Sequence, residues 1–351
     1  MANKSPHIYI PADPPKQKEI MITREDQEKR EYNILSEYAC KSADSKGRAI
    51  EEEKCNIRTD FQRDRDRIVH SKAFRRLMHK TQVFLAPEGD HFRTRLTHTI
   101  EVSQISRTIC RALGLNEDLA EAIALGHDLG HTPFGHLGEQ VLNDIHPGGF
   151  HHNVQSLRVV DILEGDCRKG GLNLTAEVRD GILNHTGSKR PFTLEGQVVK
   201  ISDRIAYINH DIDDALRIGV LKQSDLPKSC IEVLGDDHRS RIDTMVRDMI
   251  ASSDGKTQIS QSPDVKAQMD ILRNFMFKRV YESLDVKREE ETEMGEKVIT
   301  ALYRHFIENP KLLPEDTQEM IAEFGIAEVS KDYVASMTDR YAITCYKKIY
   351  E

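Results

Sequence analysis

The sequence predicts an all-α protein with one helical core and a helical C-terminal extension packed on it. From about residue 60 onward, apolar residues recur at spacings of three and four, which is the pattern of amphipathic helices. Strand-like alternation is scarce, and no linker or internal repeat divides the 351 residues into two compositions. The one exception that we expect is a short hairpin within residues 251–263, a polar segment that contains a glycine.

Composition argues against several classes of protein. The formal net charge is -8, so a general attraction to nucleic acid or to anionic membranes is not expected. No run approaches the roughly eighteen apolar residues of a transmembrane helix, and the first twenty residues lack the apolar stretch of a secretory signal. The six cysteines are scattered without a C-x-x-C pair, as is typical of reduced thiols. We therefore expect a cytoplasmic protein that does not contact a membrane.

The chain divides into four predicted segments. Residues 1–25 are polar and proline-bearing, and they should form an arm with little structure of its own. Residues 26–92 form an N-terminal helical segment with a basic motif. Residues 93–218 form the core that carries the chemistry, and residues 219–351 form the helical extension.

Local signals place the predicted helices. A helix over 96–113 should stop at Gly114, and Asn116 should cap the next helix, which ends near Gly130. Further helices are predicted at 136–145, from about 152, and at 193–218, 264–284, 290–307, 315–324 and 331–349.

Histidine is the unusual residue in this sequence. Of its fifteen histidines, seven lie in one short stretch: His98, His127, His131, His136, His146, His151 and His152. Histidine is well suited to bind metal ions and to move protons near neutral pH. A single histidine is most often a surface or core residue, but this density indicates a metal-binding or catalytic site.

Four residues have the composition of a metal site for phosphate-ester hydrolysis: His98, His127, Asp128 and Asp203. That reaction needs an ionised water, positive charge against the phosphoryl oxygens and a proton for the leaving oxygen. A divalent ion supplies the first two. Imidazole with carboxylate suits Mn, Fe, Co, Ni or Zn, whereas all-oxygen sites suit Mg. Because His127 and Asp128 are adjacent, their side chains diverge by roughly 100° on a regular helix and reach one ion only where the helix ends or kinks.

A second group of polar residues follows a few positions later. His131 stands four residues after His127 and would share its face if the helix continued. His136 and Glu139 stand three residues apart on the next predicted helix, within reach of each other. A carboxylate beside an imidazole favours the protonated ring and orients it, which suits a general acid or base. The alternative is a surface ion pair of little energetic value.

The longest predicted helix carries three polar residues at successive turns beside an apolar stripe, namely Asp203, Tyr207 and Asp211. This alignment is typical either of a cavity lining or of a solvated helix face.

Several motifs, in their order along the chain, resemble the bacterial deoxyguanosinetriphosphate triphosphohydrolase-like family of the HD superfamily. They are R-x-x-H at 95–98, HD at 127–128, FHHNVQSLR at 150–158 and SDRIAYINHDIDDAL at 202–216. Two further segments resemble flanking motifs of the same family: FQRDRDRIVHSKAFRRLMHKTQVF at 61–84 and DYVASMTDRYA at 332–342. The resemblance covers the chain from about residue 60 to the C-terminus and implies a single HD-domain helical core.

The resemblance also implies roles for individual residues. It implies that one divalent metal ion is bound by His98, His127, Asp128 and Asp203. It implies a catalytic site formed by His136, Glu139 and His152. It implies that the triphosphate is surrounded by Arg95, His131, Arg204 and Tyr207, and that the sugar 3′-hydroxyl is contacted by Gln82 and Asp211. No role follows for three residues in motif-like surroundings: His151, Asn153 and His185.

The reaction that the resemblance implies is hydrolysis of dGTP or another deoxynucleoside triphosphate (dNTP). Water attacks the α-phosphorus, and the products are a deoxynucleoside and inorganic triphosphate. The resemblance further implies a homo-oligomer, by analogy a hexamer, and single-stranded DNA as a further partner.

Two other functions remain open at this point. Another HD-type phosphohydrolase, a 5′-nucleotidase or a cyclic-nucleotide phosphodiesterase, would share the metal site but would not need several cations for a triphosphate. A nucleotide-sensing or single-stranded-DNA-binding module would use the basic stretch formed by Arg63, Arg65, Arg67, Lys72, Arg75, Arg76 and Lys80. The alternative for this stretch is a helix face whose charges pair with Asp64, Asp66 and other carboxylates, and a net charge of -8 favours that alternative.

Overall fold

The computed structural model describes residues 21–82, 93–165, 171–281 and 289–351. Within these ranges the chain folds into helices joined by turns and loops, and it contains no β-strand beyond two isolated bridges, Arg48 with Thr175 and Thr81 with Thr94. The all-α prediction is confirmed. Among the helices that the structure describes, none has the length and apolar character to cross a membrane.

Short helices precede the core: α1 (Arg24–Ile34), α2 (Asp60–His70) and α3 (Lys72–Arg76). Thr23 and Thr59 cap the first two, because each hydroxyl accepts a backbone N–H from the first turn that would otherwise lack a partner. The predicted arm over 1–25 is therefore too long at its C-terminal end, and residues 1–20 lie outside the described residues.

The core contains α4 (Arg95–Leu113), α5 (Glu117–Gly126), α6 (Gly135–Ile145), α7 (His152–Arg158), α8 (Ala176–Asn184) and α9 (Leu194–Arg217). The predicted signals end α4 and start α5, but α5 ends at Gly126 and not near Gly130 as predicted. Gly114 ends α4 with a φ of 65°, a left-handed conformation that favours glycine. The side chain of Asn116 caps α5 by accepting two backbone N–H groups, and the hydroxyl of Thr193 caps α9 by accepting the backbone N–H of Gly196.

Helix α5 lies at the centre of the core. Its residues Leu119, Ala122 and Ile123 are fully buried, and it packs against α2, α4, α8 and α9. Helix α8 comes closest at Gly181, where a Cβ would lie 2.5 Å from the side chain of Ile123. Because α5 is apolar and buried along most of its length, the residues at its C-terminal end lie in the interior and not at the surface.

The extension contains α10 (Lys228–Leu234), α11 (His238–Ser253), α12 (Pro263–Met276), α13 (Glu289–Glu308), α14 (Glu315–Glu319), α15 (Ile321–Phe324), α16 (Ile326–Ser336) and α17 (Asp339–Tyr350). Tighter 3₁₀ turns lie at Ser42–Asp44, Leu77–His79, Gln223–Asp225 and Pro310–Leu312, and wider π turns lie at Val159–Leu163 and Phe277–Tyr281.

The extension contributes to two hydrophobic clusters. Helices α10, α11 and α12 add their apolar residues to the cluster around α5 and α9. Helices α13, α16 and α17 form a second cluster with α6, in which Leu302 and Val334 pack with Phe134 and Leu137. Burial of apolar area therefore holds α6 against the extension.

The hairpin predicted within residues 251–263 is wrong. Helix α11 continues to Ser253, and the residues after it form a turn without strand pairing. The hydroxyl of Ser253 accepts the backbone N–H of Ser260 at 3.0 Å and donates to its carbonyl oxygen at 3.1 Å. One side chain thus satisfies the backbone groups that a strand partner would have satisfied.

The single helix predicted at 331–349 is also wrong, because α16 ends at Ser336 and α17 begins at Asp339. The hydroxyl of Thr338 caps α17 by accepting the backbone N–H of Tyr341. The helix predicted at 315–324 is likewise divided, at Met320, into α14 and α15. The predicted end of the helix at 264–284 lies outside the described residues.

Candidate active site

The C-terminal end of α5 places His127 and Asp128 in the buried interior. The last residue of the helix is Gly126, and His127 follows as its cap. The His127 ring folds back so that Nδ1 lies 2.6 Å from the carbonyl oxygen of Ala124. Because a carbonyl oxygen only accepts hydrogen bonds, Nδ1 carries the ring proton and Nε2 offers its lone pair.

His98 from α4 and Asp203 from α9 reach the same place. Nε2 of His98 lies 3.1 Å from Oδ1 of Asp203 and 4.0 Å from Oδ2 of Asp128. Nε2 of His127 lies 3.8 Å from the same oxygen of Asp203 and 3.6 Å from Oδ1 of Asp128. The four residues predicted to bind metal are thus neighbours, and ligand atoms of His98, His127 and Asp128 lie within 4.8 Å of one another.

These residues fit a divalent cation. Nε2 of His127 is buried and has no hydrogen-bond partner among the described residues, which is costly for a polar atom unless a ligand binds it. Burial alone would raise the pKa of Asp203, but the hydrogen bond from His98 lowers it to about 2. Burial opposes ionisation of Asp128 as well, but His127 and Arg95 hold its pKa well below the ordinary value. Two ionised carboxylates with two imidazoles form a donor set for Mn, Fe, Co, Ni or Zn.

Arg95, the first residue of α4, is buried beside this group. Its Nη1 donates to Oδ2 of Asp128 at 2.7 Å, and its Nη2 donates to the backbone carbonyl of Gln82 at 3.4 Å. The Gln82 side chain is buried, and its Oε1 accepts no hydrogen bond from the described residues. Both predicted substrate-binding residues therefore lie next to the four-residue group, and Gln82 has an unused acceptor.

A strained turn precedes α6. Phe134 has a φ of 61°, a conformation that costs a residue with a side chain of order 1 kcal/mol. Its ring is buried in the second hydrophobic cluster, and its backbone N–H donates to Oδ1 of Asp339 at 3.0 Å. Oδ2 of Asp339 accepts the backbone N–H of Thr81 at 2.9 Å. These contacts fix the start of α6 and thus the place of His136, whose side chain is 54% exposed.

Glu139 has three histidine neighbours rather than the single one that the sequence predicted, because Nε2 of His131 also lies 4.0 Å from its Oε2. Nδ1 of His136 lies 3.9 Å from Oε2 of Glu139. His152 is closer, because its backbone N–H and its ring Nδ1 both lie 2.9 Å from Oε1 of Glu139. Burial would raise the pKa of Glu139, but the neighbouring rings of His136 and His152 hold it far below the ordinary value.

His131 does not share a helix face with His127, because α5 ends at Gly126. Its ring instead stacks on that of His152, with centroids 4.4 Å apart and planes 16° apart. Burial, followed by the positive charge of Arg95, lowers the pKa of His131 well below its ordinary value. The ring is therefore neutral at pH 7.

His185, for which the sequence suggested no role, joins the site from α8. It caps that helix, and its Nδ1 lies 2.7 Å from the carbonyl oxygen of Ile182. Its Nε2 lies 3.2 Å from Nε2 of His152, and its ring centroid is 5.0 Å from that of His127. Helices α5 and α8 share one signal that could have identified His185, namely a histidine directly after the last residue of the helix.

The polar face of α9 is not a solvated surface. Asp203 and Tyr207 are largely shielded, Asp211 is buried, and Arg204 is half-buried beside them. Burial raises the pKa of Tyr207 to about 12, and the Tyr207 oxygen accepts a hydrogen bond from Nε of Arg273 at 3.0 Å. Sequence reasoning missed Arg273, because it comes from α12 and no local pattern marks the contact.

Three arginines at the N-terminal end of the basic stretch at 63–80 are paired with carboxylates. Arg65 lies 2.9 Å from Asp66 and 3.3 Å from Glu121. Arg67 lies 2.6 Å from Glu52, which Arg63 also approaches at 3.3 Å. Such pairing argues against a nucleic-acid-binding role for these arginines.

Lys80 at the end of this stretch is fully buried. Its Nζ donates to the carbonyl oxygens of His131 and, at 2.8 Å, Ala335. Burial lowers its pKa to about 7. The lysine thereby joins the loop after α5 to the end of α16.

Comparison with known families identifies the class of protein first. The HD domain matches residues 95–208, the span from Arg95 to the middle of α9, and the Phosphohydrolase-associated domain matches residues 259–348. Fold and site together define an HD-domain phosphohydrolase.

Comparison with curated relatives narrows this class. The chain is 59% identical to a deoxyguanosinetriphosphate triphosphohydrolase-like protein of Caldanaerobacter subterraneus subsp. tengcongensis, over 94% of this chain and 96% of the relative. Proteins of the same description from Desulfatibacillum aliphaticivorans and Clostridium tetani are 50% and 48% identical, over 94% and 88% of this chain and 98% and 91% of the relatives. The chain belongs to the deoxyguanosinetriphosphate triphosphohydrolase-like family.

Proposed function

We propose that the protein is a metal-dependent dNTP triphosphohydrolase, which hydrolyses dGTP or another dNTP to the deoxynucleoside and inorganic triphosphate. One observation carries the proposal: a buried group of two histidines and two ionised aspartates lies beside Arg95 and close to a second group that contains the half-exposed His136. The description of the relatives as deoxyguanosinetriphosphate triphosphohydrolase-like supports the choice of substrate class.

His98, His127, Asp128 and Asp203 would hold the metal ion. A divalent ion at this place supplies positive charge to the phosphoryl oxygens and lowers the pKa of a water. Asp128 and Asp203 are ionised before any ion arrives. Nδ1 of His127 donates a hydrogen bond to the carbonyl oxygen of Ala124. The two carboxylates are therefore already anions, whereas binding of an ion would displace the proton that His98 donates to Asp203.

His136 and Glu139 would handle the proton. His136 would either position the attacking water or donate a proton to the leaving 5′-oxygen of the deoxynucleoside. Glu139 remains an anion because His136 and His152 lower its pKa, so its charge stabilises a protonated imidazole beside it. His152, which Glu139 orients through Nδ1, completes this catalytic group.

Arg95, Arg204, His131 and Tyr207 would surround the triphosphate. Arg95 already uses Nη1 on Asp128, but its Nε is buried without a partner among the described residues and remains as a donor. A neutral His131 donates one ring N–H without adding charge. Arg204, half-buried next to Tyr207 on α9, adds positive charge from a second helix.

Gln82 and Asp211 would contact the sugar 3′-hydroxyl. The unused Oε1 of Gln82 is buried, so a hydroxyl that donates to it would satisfy an otherwise costly acceptor. Asp211 is buried two turns beyond Asp203 on α9.

The test is product analysis. The purified protein is incubated with each of the four dNTPs and with Mn, Mg, Co, Fe, Ni or Zn, and the products are separated by anion-exchange chromatography. We expect equal amounts of deoxynucleoside and triphosphate. Release of phosphate or pyrophosphate would instead identify another HD-type phosphohydrolase, a 5′-nucleotidase or a phosphodiesterase.

Single-stranded DNA and a homo-oligomer, by analogy a hexamer, belong to the same proposal as expected partners. DNA binding that weakens steeply with salt, in a protein that hydrolyses no dNTP with any of these metals, would make a binding module the primary function. Light scattering of the purified chain measures its oligomeric state.

A further inference from the structure

Lys80 is a buried lysine whose ammonium has no carboxylate partner. The side chain is fully buried, and Nζ donates to the backbone carbonyl oxygens of His131 and, at 2.8 Å, Ala335. Among the described residues, no carboxylate forms an ion pair with it. Lys331 on α16 shows the usual arrangement, because its buried Nζ lies 2.6 Å from Glu328. A buried charge without a counter-ion is costly, so the ammonium of Lys80 needs an explanation.

The same residue holds the two segments that carry Arg95 and His131. The carbonyl oxygen of Lys80 accepts the backbone N–H of Arg95 at 3.2 Å, and its ammonium donates to the carbonyl oxygen of His131. Arg95 is the first residue of α4, so its N–H has no acceptor within the helix, and Lys80 supplies one. His131 lies between α5 and α6, where carbonyl groups lack the regular partners of a helix. Lys80 therefore determines where both side chains begin.

The charge of Lys80 also acts on the place where a phosphate group would lie. Burial lowers the pKa of Lys80 to about 7; the negative charges of Asp339 and Asp128 oppose this shift, and the positive charges of Arg76 and Arg95 add to it. A polyanion beside Arg95 would add negative charge in a region that excludes water, where electrostatic interactions are strong. It would favour the ammonium over the neutral amine, so the polyanion and the proton on Lys80 would stabilise each other.

We propose that Lys80 is a positioning residue for the phosphate groups of the substrate, because it fixes the backbone of Arg95 and His131 and places a positive charge beside them. The inference rests on the proposed binding of the triphosphate by these two residues. Lys80 acts through its neighbours and does not itself contact the substrate. The alternative is a purely structural link between the loop after α5 and the end of α16, for which a neutral hydrogen-bond donor would suffice.

The test is the affinity for inorganic triphosphate. Lys80→Met removes the charge and keeps the length of the side chain, whereas Lys80→Gln removes the charge but keeps a hydrogen-bond donor. Isothermal titration calorimetry in the presence of Mn²⁺ measures the dissociation constants of inorganic triphosphate and of deoxyguanosine. We expect triphosphate to bind at least about tenfold more weakly to both variants, because the charge and its hydrogen bonds are lost. The dissociation constant of deoxyguanosine should be unchanged, since deoxyguanosine has no phosphate.

Proton uptake is a readout that a purely structural link would not change. Titrations with triphosphate at pH 8, in two buffers of different ionisation enthalpy, give the number of protons that are taken up on binding. With a pKa of about 7, Lys80 is mostly neutral in the free protein at this pH, and the bound polyanion favours its ammonium. The wild type should therefore take up more protons than either variant. Protons that belong to triphosphate itself cancel in this comparison.

Lys41→Met is the matched control, because Lys41 is also a buried lysine that donates to two backbone carbonyl oxygens, those of Ser36 at 3.0 Å and Ala39 at 3.5 Å. It lies outside the site and should leave the affinity for triphosphate unchanged. Circular dichroism, the melting temperature and the bound Mn²⁺ establish that each variant is folded with its metal site intact.

Any one of three results would overturn the proposal: equal triphosphate affinity in the wild type and a folded Lys80 variant, equal proton uptake, or equal weakening of triphosphate and deoxyguanosine. Failure of the triphosphohydrolase proposal would appear separately, as release of phosphate or pyrophosphate in the product analysis. It would leave the calorimetric comparison valid, because that comparison measures binding without turnover.

Discussion

At the scale of single residues, the site depends on which nitrogen of each histidine carries a proton. Nδ1 of His127 and Nδ1 of His185 each donate to a backbone carbonyl oxygen, and Nδ1 of His152 donates to Glu139. Nε2 of His127 is thereby available as a ligand, whereas Nε2 of His152 and Nε2 of His185 contact each other at 3.2 Å. His136 differs, because its ring is half-exposed and its carboxylate neighbour lies 3.9 Å away.

The first prediction concerns His136→Ala. If His136 moves a proton during the reaction, its loss should lower kcat by about 10² to 10⁴. Bound metal should be unchanged, because His136 lies outside the proposed ligand set. Steady-state kinetics and metal content of the same preparation measure both. The matched control is His79→Ala, an exposed histidine outside the site. A kcat equal to that of the wild type would remove His136 from the mechanism.

The second prediction concerns a buried carboxyl far from the catalytic groups. Oε1 of Glu195 on α9 accepts the backbone N–H groups of Cys40 and Asn116, each at 3.0 Å. Burial raises the pKa of Glu195 from 4.5 to about 7. Between these values the folded protein holds a proton that the unfolded chain has lost. The contribution of Glu195 to the free energy of unfolding therefore falls as pH rises from 4.5 to 7 and is constant above that.

Glu195→Gln keeps the acceptor and removes the titration. Relative to this variant, the wild type should lose as much as about 3 kcal/mol between pH 4.5 and 7, at about 1.4 kcal/mol for each pKa unit. Urea unfolding of both proteins at pH 5, 6, 7 and 8 measures the difference. Glu232→Gln, at an exposed position, should show no such trend. A constant difference across these pH values would contradict the raised pKa.

At the scale of elements, the helix ends that were predicted well have short-range causes. Gly114, Asn116 and Thr193 act through their own backbone or side chain within a few residues, so the sequence alone predicts them. The break between α16 and α17 was missed because apolar residues continue at helical spacing across it, although Thr338 carries a capping hydroxyl. The pairing of His152 with His185, and the contact of Arg273 with Tyr207, join separate helices, which no local pattern can show.

The third prediction concerns the turn before α6. Asp339→Ala removes the acceptor for Phe134 and Thr81, so the strained turn loses its support and His136 moves. We expect kcat to fall at least about tenfold, since displacement of a catalytic group by about 1 Å costs as much as 10². Bound metal should persist, which separates this effect from loss of the site. Glu323→Ala, at an exposed position in the same extension, serves as the control and should keep kcat. An unchanged kcat in Asp339→Ala would show that the turn does not need this carboxylate.

At the scale of the whole molecule, two separate hydrophobic clusters position the proposed catalytic groups. The cluster around α5 and α9 contains the helices that carry His98, His127 and Asp203, and the second cluster contains α6, which carries His136 and Glu139. The predicted metal ligands and the predicted proton-transfer pair therefore depend on different parts of the chain. Sequence patterns predicted that the extension packs on the core, but they did not predict that it packs on the helix of His136.

The fourth prediction follows from this division. Leu302 on α13 is fully buried in the second cluster, so Leu302→Ala should lower the free energy of unfolding by about 3 kcal/mol. Leu312→Ala, the same substitution at a residue that is 61% exposed, should change it by less than about 0.5 kcal/mol. Denaturant unfolding measures both. Equal effects of the two substitutions would mean that the second cluster contributes little to stability.

The contacts of Asp339 also have a consequence for biosynthesis. The ribosome makes Thr81 and Phe134 long before Asp339, which lies 258 and 205 residues after them. While translation proceeds, the emerging chain can fold the helices of the HD core, but the turn before His136 still lacks its acceptor. A chain that ends before Asp339 should therefore show at least the fall in kcat expected of Asp339→Ala, because the turn before α6 lacks the same acceptor.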